Sequence, residues 1–174
     1  WHTLQNYARA NGLNESLLLE AGLLSFSKDR TFDYFRNRII FPITDETNRI
    51  IGFTGRDFSG KPETPKYFNT PETALYKKGK TLYGIGKAKY QAKETGSFFL
   101  VEGNADVIKL HHLGLVNTVA TGGTALTEDQ IRLIKKYATS VTIIGDTDKA
   151  GKIAVERSGE LLIKAGVFVH LLTL

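Results

Sequence analysis

From Gly96 onward, short apolar runs alternate with helical stretches, and this alternation constrains the fold more than any other feature of the chain. The runs are "SFFLV" (97–101), "VNTVA" (116–120), "VTIIG" (141–145) and "VFVHLL" (167–172). Each is short, rich in β-branched or aromatic residues and bounded by turn formers, which is the pattern of a buried strand. Between them lie "NADVIKLHHLG", "TEDQIRLIKKYA" and "KAGKIAVERSGELLIKAG", with helical spacing. Thr127 followed by Gln130 is a capping-box start for the second helix. Gly114 and Gly166 stand where helices end in a left-handed residue. Strand and helix alternating at this spacing predict a parallel sheet with right-handed crossovers.

Residues before Gly96 lack that alternation. "LQNYARANG" and "ESLLLEAG" read as two short helices, each closed by Gly. "RIIFPI" and "RIIGFTGR", separated by "TDETN", predict a hairpin, and "FSGKPETPKYFNTPET" predicts an extended, turn-rich excursion. The expected organisation is therefore an α/β chain, with a mixed α+β subdomain at 1–95 and a parallel-sheet domain at 96–174.

Charge separates the same two parts. Residues 1–90 hold 14 Lys and Arg against 9 Asp and Glu, whereas residues 91–174 hold 9 against 9. A basic first half is either a soluble surface or a surface facing a polyanion, and charge alone does not choose between them. The chain has no cysteine, which excludes disulfides and thiolate metal sites. No apolar run reaches the roughly 18 residues of a membrane span, and no targeting segment is recognisable. A cytoplasmic protein is expected. The chain opens on Trp1 and contains no methionine, so it reads as a piece of a longer protein.

In an open α/β sheet, ligands collect beyond the carboxyl ends of the strands. Glu102 leaves the first of these strands and Asp106 falls in the first turn of the next helix if that helix starts near Asn104. Asp146 and Asp148 leave the third strand, two apart, so their side chains share a side on extended backbone. Either pair alone is more often a helix cap or a dipole partner than a ligand set. Together they would place three or four carboxylates in one crevice, an arrangement costly without a divalent cation, and hard oxygen donors suit Mg²⁺ with Mn²⁺ as a substitute. Two-metal phosphoryl chemistry uses such a cluster. "ATGGTAL" (120–126) is either a tight turn or a backbone-lined phosphate site, with Gly122, Gly123 and Thr124 as its candidates. The four histidines show no metal-ligand spacing.

With these residues assembled, residues 96–174 resemble a toprim domain, whose pattern is a glutamate after the first strand and D-x-D after the third. The segments "RIIFPI", "IIGFTGR", "PKYFNTPET" and "YKKGKTLYG" are similar in order and spacing to the core of bacterial DnaG-type DNA primases, over roughly residues 17–174. The resemblance implies a metal-dependent nucleotidyltransferase that makes short RNA primers on single-stranded DNA during replication. It implies catalytic roles for Glu102, Asp146 and Asp148, with Asp106 a weaker metal ligand or an orienting group; whether Glu102 holds metal or acts as a general acid or base stays open. It also implies that Arg38, Arg56, Lys66, Tyr67, Asn69, Lys78 and Lys149 face template or nucleotide, with a turn role favoured for Asn69, and that Tyr67 or Tyr76 can stack on a base. The implied partners are the single-stranded DNA template, ribonucleoside triphosphates, the nascent RNA and, through regions outside this chain, a replicative helicase.

Departures accompany the match. Asn104 replaces the usual aromatic after E-G, Gly145 and Thr147 replace the usual neighbours of the aspartates, and Thr121-Gly122 replaces the usual Ser-Leu. These imply a divergent branch such as a phage or mobile-element primase. The family's third acidic motif would fall beyond Leu174, so an incomplete ligand set and a truncated toprim domain are expected. Two rivals remain: a toprim nuclease or RNA-maturation enzyme using the same metals with water, and a non-catalytic nucleic-acid-binding module.

Overall fold

The computed structural model describes the chain except residues 62, 146–148 and 174. It divides into two compact units, Trp1–Ile43 with Ile50–Lys77, and Thr44–Arg49 with Lys78–Leu174.

In the first unit, the two expected helices are α1 (Thr3–Ala10) and α2 (Glu15–Glu20). A hairpin not anticipated from the sequence follows, β1 (Leu24–Ser27) and β2 (Arg30–Asp33), paired antiparallel. Its turn residues Lys28 and Asp29 both take positive φ, 48° and 57°, the conformation a two-residue hairpin loop requires. The hairpin ends on buried Asp33, whose carboxylate accepts from the Leu4 and Gln5 amides at 2.8 and 3.0 Å. This remote carboxylate satisfies first-turn donors of α1 that His2, the residue before the helix, leaves unpaired by its side chain. The expected "RIIFPI" and "RIIGFTGR" strands are β3 (Arg38–Thr44) and β4 (Ile50–Asp57). The "turn-rich excursion" contains a short strand, β5 (Tyr67–Asn69), which pairs antiparallel with β4 and gives the sheet order β3-β4-β5.

The second unit holds the predicted sheet. Strands β6 (Ser97–Val101), β7 (Thr118–Ala120), β8 (Ser140–Gly145) and β9 (Phe168–Thr173) lie in the order β7-β6-β8-β9, all parallel. The connecting helices are α4 (Asn104–His112), α5 (Glu128–Lys135) and α6 (Lys149–Lys164). Gly114 and Gly166 adopt φ of 91° and 80°, as their helix-ending positions require. The capping box is present: Thr127 Oγ1 accepts from the Gln130 amide and Gln130 Oε1 accepts from the Thr127 amide. A further helix preceding the sheet, α3 (Ile85–Thr95), was not anticipated. It buries Ile85, Ala88 and Ala92 on one side, against a core that includes Phe98, Leu100, Val119, Ile134, Val141 and Leu162. Full burial of an aromatic such as Phe98 contributes about 1.5–3 kcal/mol.

The tip of the β3–β4 connection, Thr44–Arg49, clusters with this second unit. Glu46 accepts from Lys136 Nζ at 2.7 Å and from the Tyr137 hydroxyl. A side chain at Gly86 of α3 would collide with the Asn48 side chain and lie 2.8 Å from the Asp45 carbonyl. Within the tip, Asp45 accepts from the Thr47 and Arg49 amides at 2.8 and 3.0 Å. Burial alone would raise the Asp45 carboxyl, but hydrogen bonds from the Thr47 hydroxyl, the two amides and the Arg49 guanidinium outweigh it and hold it at about 2. A group more acidic when folded than unfolded contributes stability that is present above about pH 4 and is lost as pH falls through its folded value. Asp45→Asn is therefore expected to weaken the pH dependence of unfolding between about pH 4 and 2. Urea titrations at stepped pH check this, and a wild-type slope in the variant would sink it.

Candidate functional site

A cavity of about 450 Å³ opens at the carboxyl ends of β6, β7 and β8. Glu102, the residue after β6, lines it, as do Thr121, Gly123 and Thr124 after β7. Its floor is apolar, from Leu100, Ile143 and Ile144, and α6 supplies another wall with Ile153, Arg157 and Ser158. Glu102 is exposed, so its charge is not held in the core. Asp106 lies in the first turn of α4, and its carboxylate folds back over Gly103: a Cβ at that glycine would sit 2.6 Å from Asp106 Oδ2. The E-G-x-x-D spacing thus uses a residue without a side chain to make room for the Asp106 carboxylate beside the backbone. Asp146 and Asp148 lie outside the described residues, and so does the side chain of Lys149. Among the described residues, no group of three or more His, Cys, Asp or Glu side chains converges as a metal cluster. The oxygen-only donors Glu102 and Asp106 are of the kind a hard divalent cation takes.

The glycine turn and the basic candidate Lys78 meet. Lys78 begins a one-turn 3₁₀ helix, Lys78–Lys80, and its Nζ donates to the Gly123 carbonyl at 3.3 Å. Gly122 and Gly123 both take left-handed φ, 73° and 81°, which L side chains adopt only with strain. The arrangement is pinned from beneath by α5. Thr127 Oγ1 donates to the Gly79 carbonyl at 2.5 Å. The fully buried Gln130 donates through Nε2 to the Thr81 carbonyl at 2.8 Å, with the Lys78 and Thr121 carbonyls each at 3.4 Å. The same two residues that cap α5 therefore fix the lysine turn and the end of β7. The sequence announced the cap and gave no sign of this second task.

Asn104 is the other departure with a structural counterpart. It is 8 % exposed, and its Oδ1 is buried with no hydrogen-bond partner among the described residues. That oxygen lies 3.7 Å from where a side chain at Gly122 would begin. An unsatisfied buried acceptor costs about 1–3 kcal/mol, and such groups concentrate at functional sites.

The remaining candidates belong to the first unit. Arg56 and Tyr67 are cross-strand partners on β4 and β5, both exposed, with the guanidinium 5.8 Å from the ring centre. Lys66 is exposed beside them in sequence. Arg38 is a brace as well as a charge: Nη1 donates to the Gly55 and Pro65 carbonyls, both at 2.9 Å, and the guanidinium stacks over Phe68. Asn69 is a strand residue opposite Thr54, where a turn had been favoured. Tyr76 is a correction. It is 3 % exposed, and burial, together with the charge of Glu72, pushes its hydroxyl up to about 12, so it cannot stack on an incoming base.

The first unit also contains residues the sequence reading passed over. A second cavity, about 480 Å³, is lined by Trp1, Tyr34, Arg36, Arg38 and Phe68 among others. Arg36 lies 4.3 Å from the Trp1 ring centre, and Tyr34 stacks on Phe68 at 4.6 Å. Cations interleaved with aromatic faces suit single-stranded nucleic acid. The signal was present in "FDYFRNR", but the period-2 alternation was broken by the strand ending at Asp33.

Comparison with known proteins agrees with this geometry. Residues 1–89 match the family model of the DNA primase catalytic core, N-terminal domain, and residues 99–174 match a Toprim-like model. A DNA primase of Clostridium acetobutylicum is 42% identical over 173 residues, covering 99% of this chain and 28% of that protein. One from Staphylococcus aureus is 38% identical over 175 residues, 99% of this chain and 29% of the relative. The chain thus spans less than a third of the length of these relatives. Among solved structures, the Aquifex aeolicus primase zinc-binding and RNA polymerase domains align with a TM-score of 0.89 at 39% identity, over 99% of this chain and 43% of that one. A DnaG primase catalytic domain bound to single-stranded DNA aligns with a TM-score of 0.86 at 34% identity, over 100% and 57%. With the N-terminal match spanning half the chain and the parallel sheet carrying the Toprim-like match, this chain belongs to the DNA primase catalytic-core family.

Proposed function

We propose that the chain is the catalytic core of a DNA primase, synthesising short RNA primers on single-stranded DNA from ribonucleoside triphosphates. The observation that carries the reading is that Glu102 shares one cavity with the glycine turn that holds Lys78, in a chain of this family.

In this reading the first unit faces the template and the second, which starts again at Lys78 rather than at residue 96, carries the chemistry. Arg38, Arg56, Lys66 and Tyr67 contact the strand, as phosphate partners and a stacking face, and Asn69 supports Tyr67 from the same short strand. Glu102, Asp106, Asp146 and Asp148 would hold Mg²⁺, or Mn²⁺ in its place. When bound, the metal supplies charge neutralisation and activation for attack of a 3′-hydroxyl on an α-phosphate. Lys78, with Lys149, brings positive charge to the nucleotide, and Gly122, Gly123 and Thr124 present backbone where a phosphate can approach closely. The Thr124 hydroxyl donates to the Thr121 carbonyl at 3.1 Å, which keeps that loop shaped without a ligand. Glu102 serves either as metal ligand or as the group that accepts the hydroxyl proton. A relative solved with single-stranded DNA and another solved with double-stranded DNA support a nucleic-acid partner. A replicative helicase would be engaged through regions outside these residues.

Product analysis tests the reading. The full-length protein, given a single-stranded template, ribonucleotides and Mg²⁺ or Mn²⁺, should yield short RNA. Shortened nucleic acid instead would favour hydrolysis by the same acids. Template binding that is indifferent to metal and to Asp146→Ala or Asp148→Ala, without product, would favour a binding module.

A further inference from the structure

Asn104 opens α4 without doing what asparagine ordinarily does at a helix start. Its favoured place is one position earlier, as the residue that caps the first turn. That place is Gly103, and α4 has no side-chain cap. The Asn104 side chain turns inward instead: the residue is 8 % exposed and its Oδ1 is buried with no hydrogen-bond partner among the described residues. A carboxamide kept in that setting weakens the fold relative to an apolar residue of the same shape. Packing therefore gives no reason for it.

The oxygen is aimed at the glycine turn that follows β7. It lies 3.7 Å from where a Cβ on Gly122 would begin, and no other described heavy atom beyond the adjoining residues comes within 4 Å of that point. The carbonyls of the turn are already engaged. Thr121 accepts from the Thr124 hydroxyl at 3.1 Å and from Gln130 Nε2 at 3.4 Å, and Gly123 accepts from Lys78 Nζ at 3.3 Å. What the turn can offer Asn104 is backbone N–H. A side chain at 122 would be driven into the oxygen by any closer approach, whereas glycine lets the backbone itself arrive.

We infer that Asn104 is a positioning residue: on substrate binding the glycine turn closes toward α4, and an amide of the turn donates to Asn104 Oδ1. The unsatisfied acceptor favours that closure, because closure gives it a donor. The bond ties the Glu102–Asn104 segment to the turn that Lys78 holds, so the carboxylate and the lysine keep one spacing through the reaction. Its part in synthesis rests on the primase reading. The link between Asn104 and the turn is measured without product.

The test uses Asn104→Leu and Gly122→Ala, singly and together, in the full-length protein. Leucine has similar bulk and no acceptor, so the melting temperature of Asn104→Leu should hold or rise. Its kcat should fall about tenfold, the worth of one neutral hydrogen bond. KM for ribonucleotide and the Kd for single-stranded DNA should stay near wild type, since the bond belongs to the closed state. Gly122→Ala should lose kcat as well, and the double variant should lose no more than the worse single, because both remove one bond. Amide exchange at residues 121–124, read by mass spectrometry, should slow in the wild type when single-stranded DNA, Mg²⁺ and a non-hydrolysable ribonucleoside triphosphate are added. In Asn104→Leu it should not slow. A stable Asn104→Leu with wild-type kcat overturns the inference, as do losses that multiply in the double variant or exchange that responds equally in both proteins. A wild type that shows the Asn104-dependent protection yet makes no RNA overturns the primase reading and leaves the link standing.

Discussion

On the proposed primase reading, Glu102→Gln is expected to lower primer synthesis by on the order of a thousandfold, with the melting temperature and the Kd for single-stranded DNA unchanged. Glutamine keeps the shape of the side chain and removes its charge. Glu102 is exposed at the cavity rim, so no core packing is lost. The control is Glu128→Gln on α5, an exposed carboxylate 3.7 Å from Arg132, where synthesis should stay at the wild-type level because an exposed pair contributes little. If Glu102→Gln retains even a tenth of wild-type synthesis, the carboxylate is not part of the chemistry.

Gln130→Leu should cost about 2–4 kcal/mol of stability and should lower synthesis beyond what that loss explains. Leucine has comparable bulk but removes the hydrogen bonds that Gln130 makes to two part-buried backbone groups, the Thr127 amide, 3.1 Å from Oε1 in the wild type, and the Thr81 carbonyl, 2.8 Å from Nε2. The functional part follows from position. Gln130 and Thr127 hold the Lys78–Lys80 turn, and Lys78 meets the Gly123 carbonyl. Releasing the turn lets the lysine leave the glycine turn at the cavity. Urea unfolding gives the first quantity. Synthesis per folded molecule, measured well below the melting temperature, gives the second. A stability loss with unchanged specific synthesis would reduce Gln130 to a helix cap.

What the sequence disclosed depended on how local the signal was. The strands β6 to β9 were legible because each is a continuous apolar run ended by turn residues, and the α5 cap because Thr127 and Gln130 are three residues apart. Helix α3 escaped because its buried stripe is largely alanine, which carries little hydrophobic signal, and because Gly84 stands where a capping side chain would. The β1–β2 hairpin escaped because Lys28-Asp29 fills a turn whose usual sequence is Asn-Gly. The place of Glu102 at the cavity was legible from its position at a strand end. Asp146 and Asp148 are expected there by the same argument and lie outside the described residues. That Arg157 lines the cavity was not legible, since the direction of a helix face is decided by packing and not by spacing. Tyr76 was misjudged for the related reason that an aromatic in a polar stretch gives no sign of whether the fold will cover it.

The Thr44–Arg49 tip has a consequence for dissecting the molecule. One compact unit is assembled from two stretches of chain that are not adjacent in sequence, so no single scission separates the units whole. A polypeptide starting at Lys78 would lack the Glu46 carboxylate that Lys136 and Tyr137 bind, and would leave the groove over Gly86 uncovered. The complementary piece would carry that loop with nothing to dock on. Exchange of the parallel-sheet module between relatives, by recombination or by design, therefore has to carry six residues from the hairpin of the preceding module. Those six positions and the surface of α3 under them are expected to vary together.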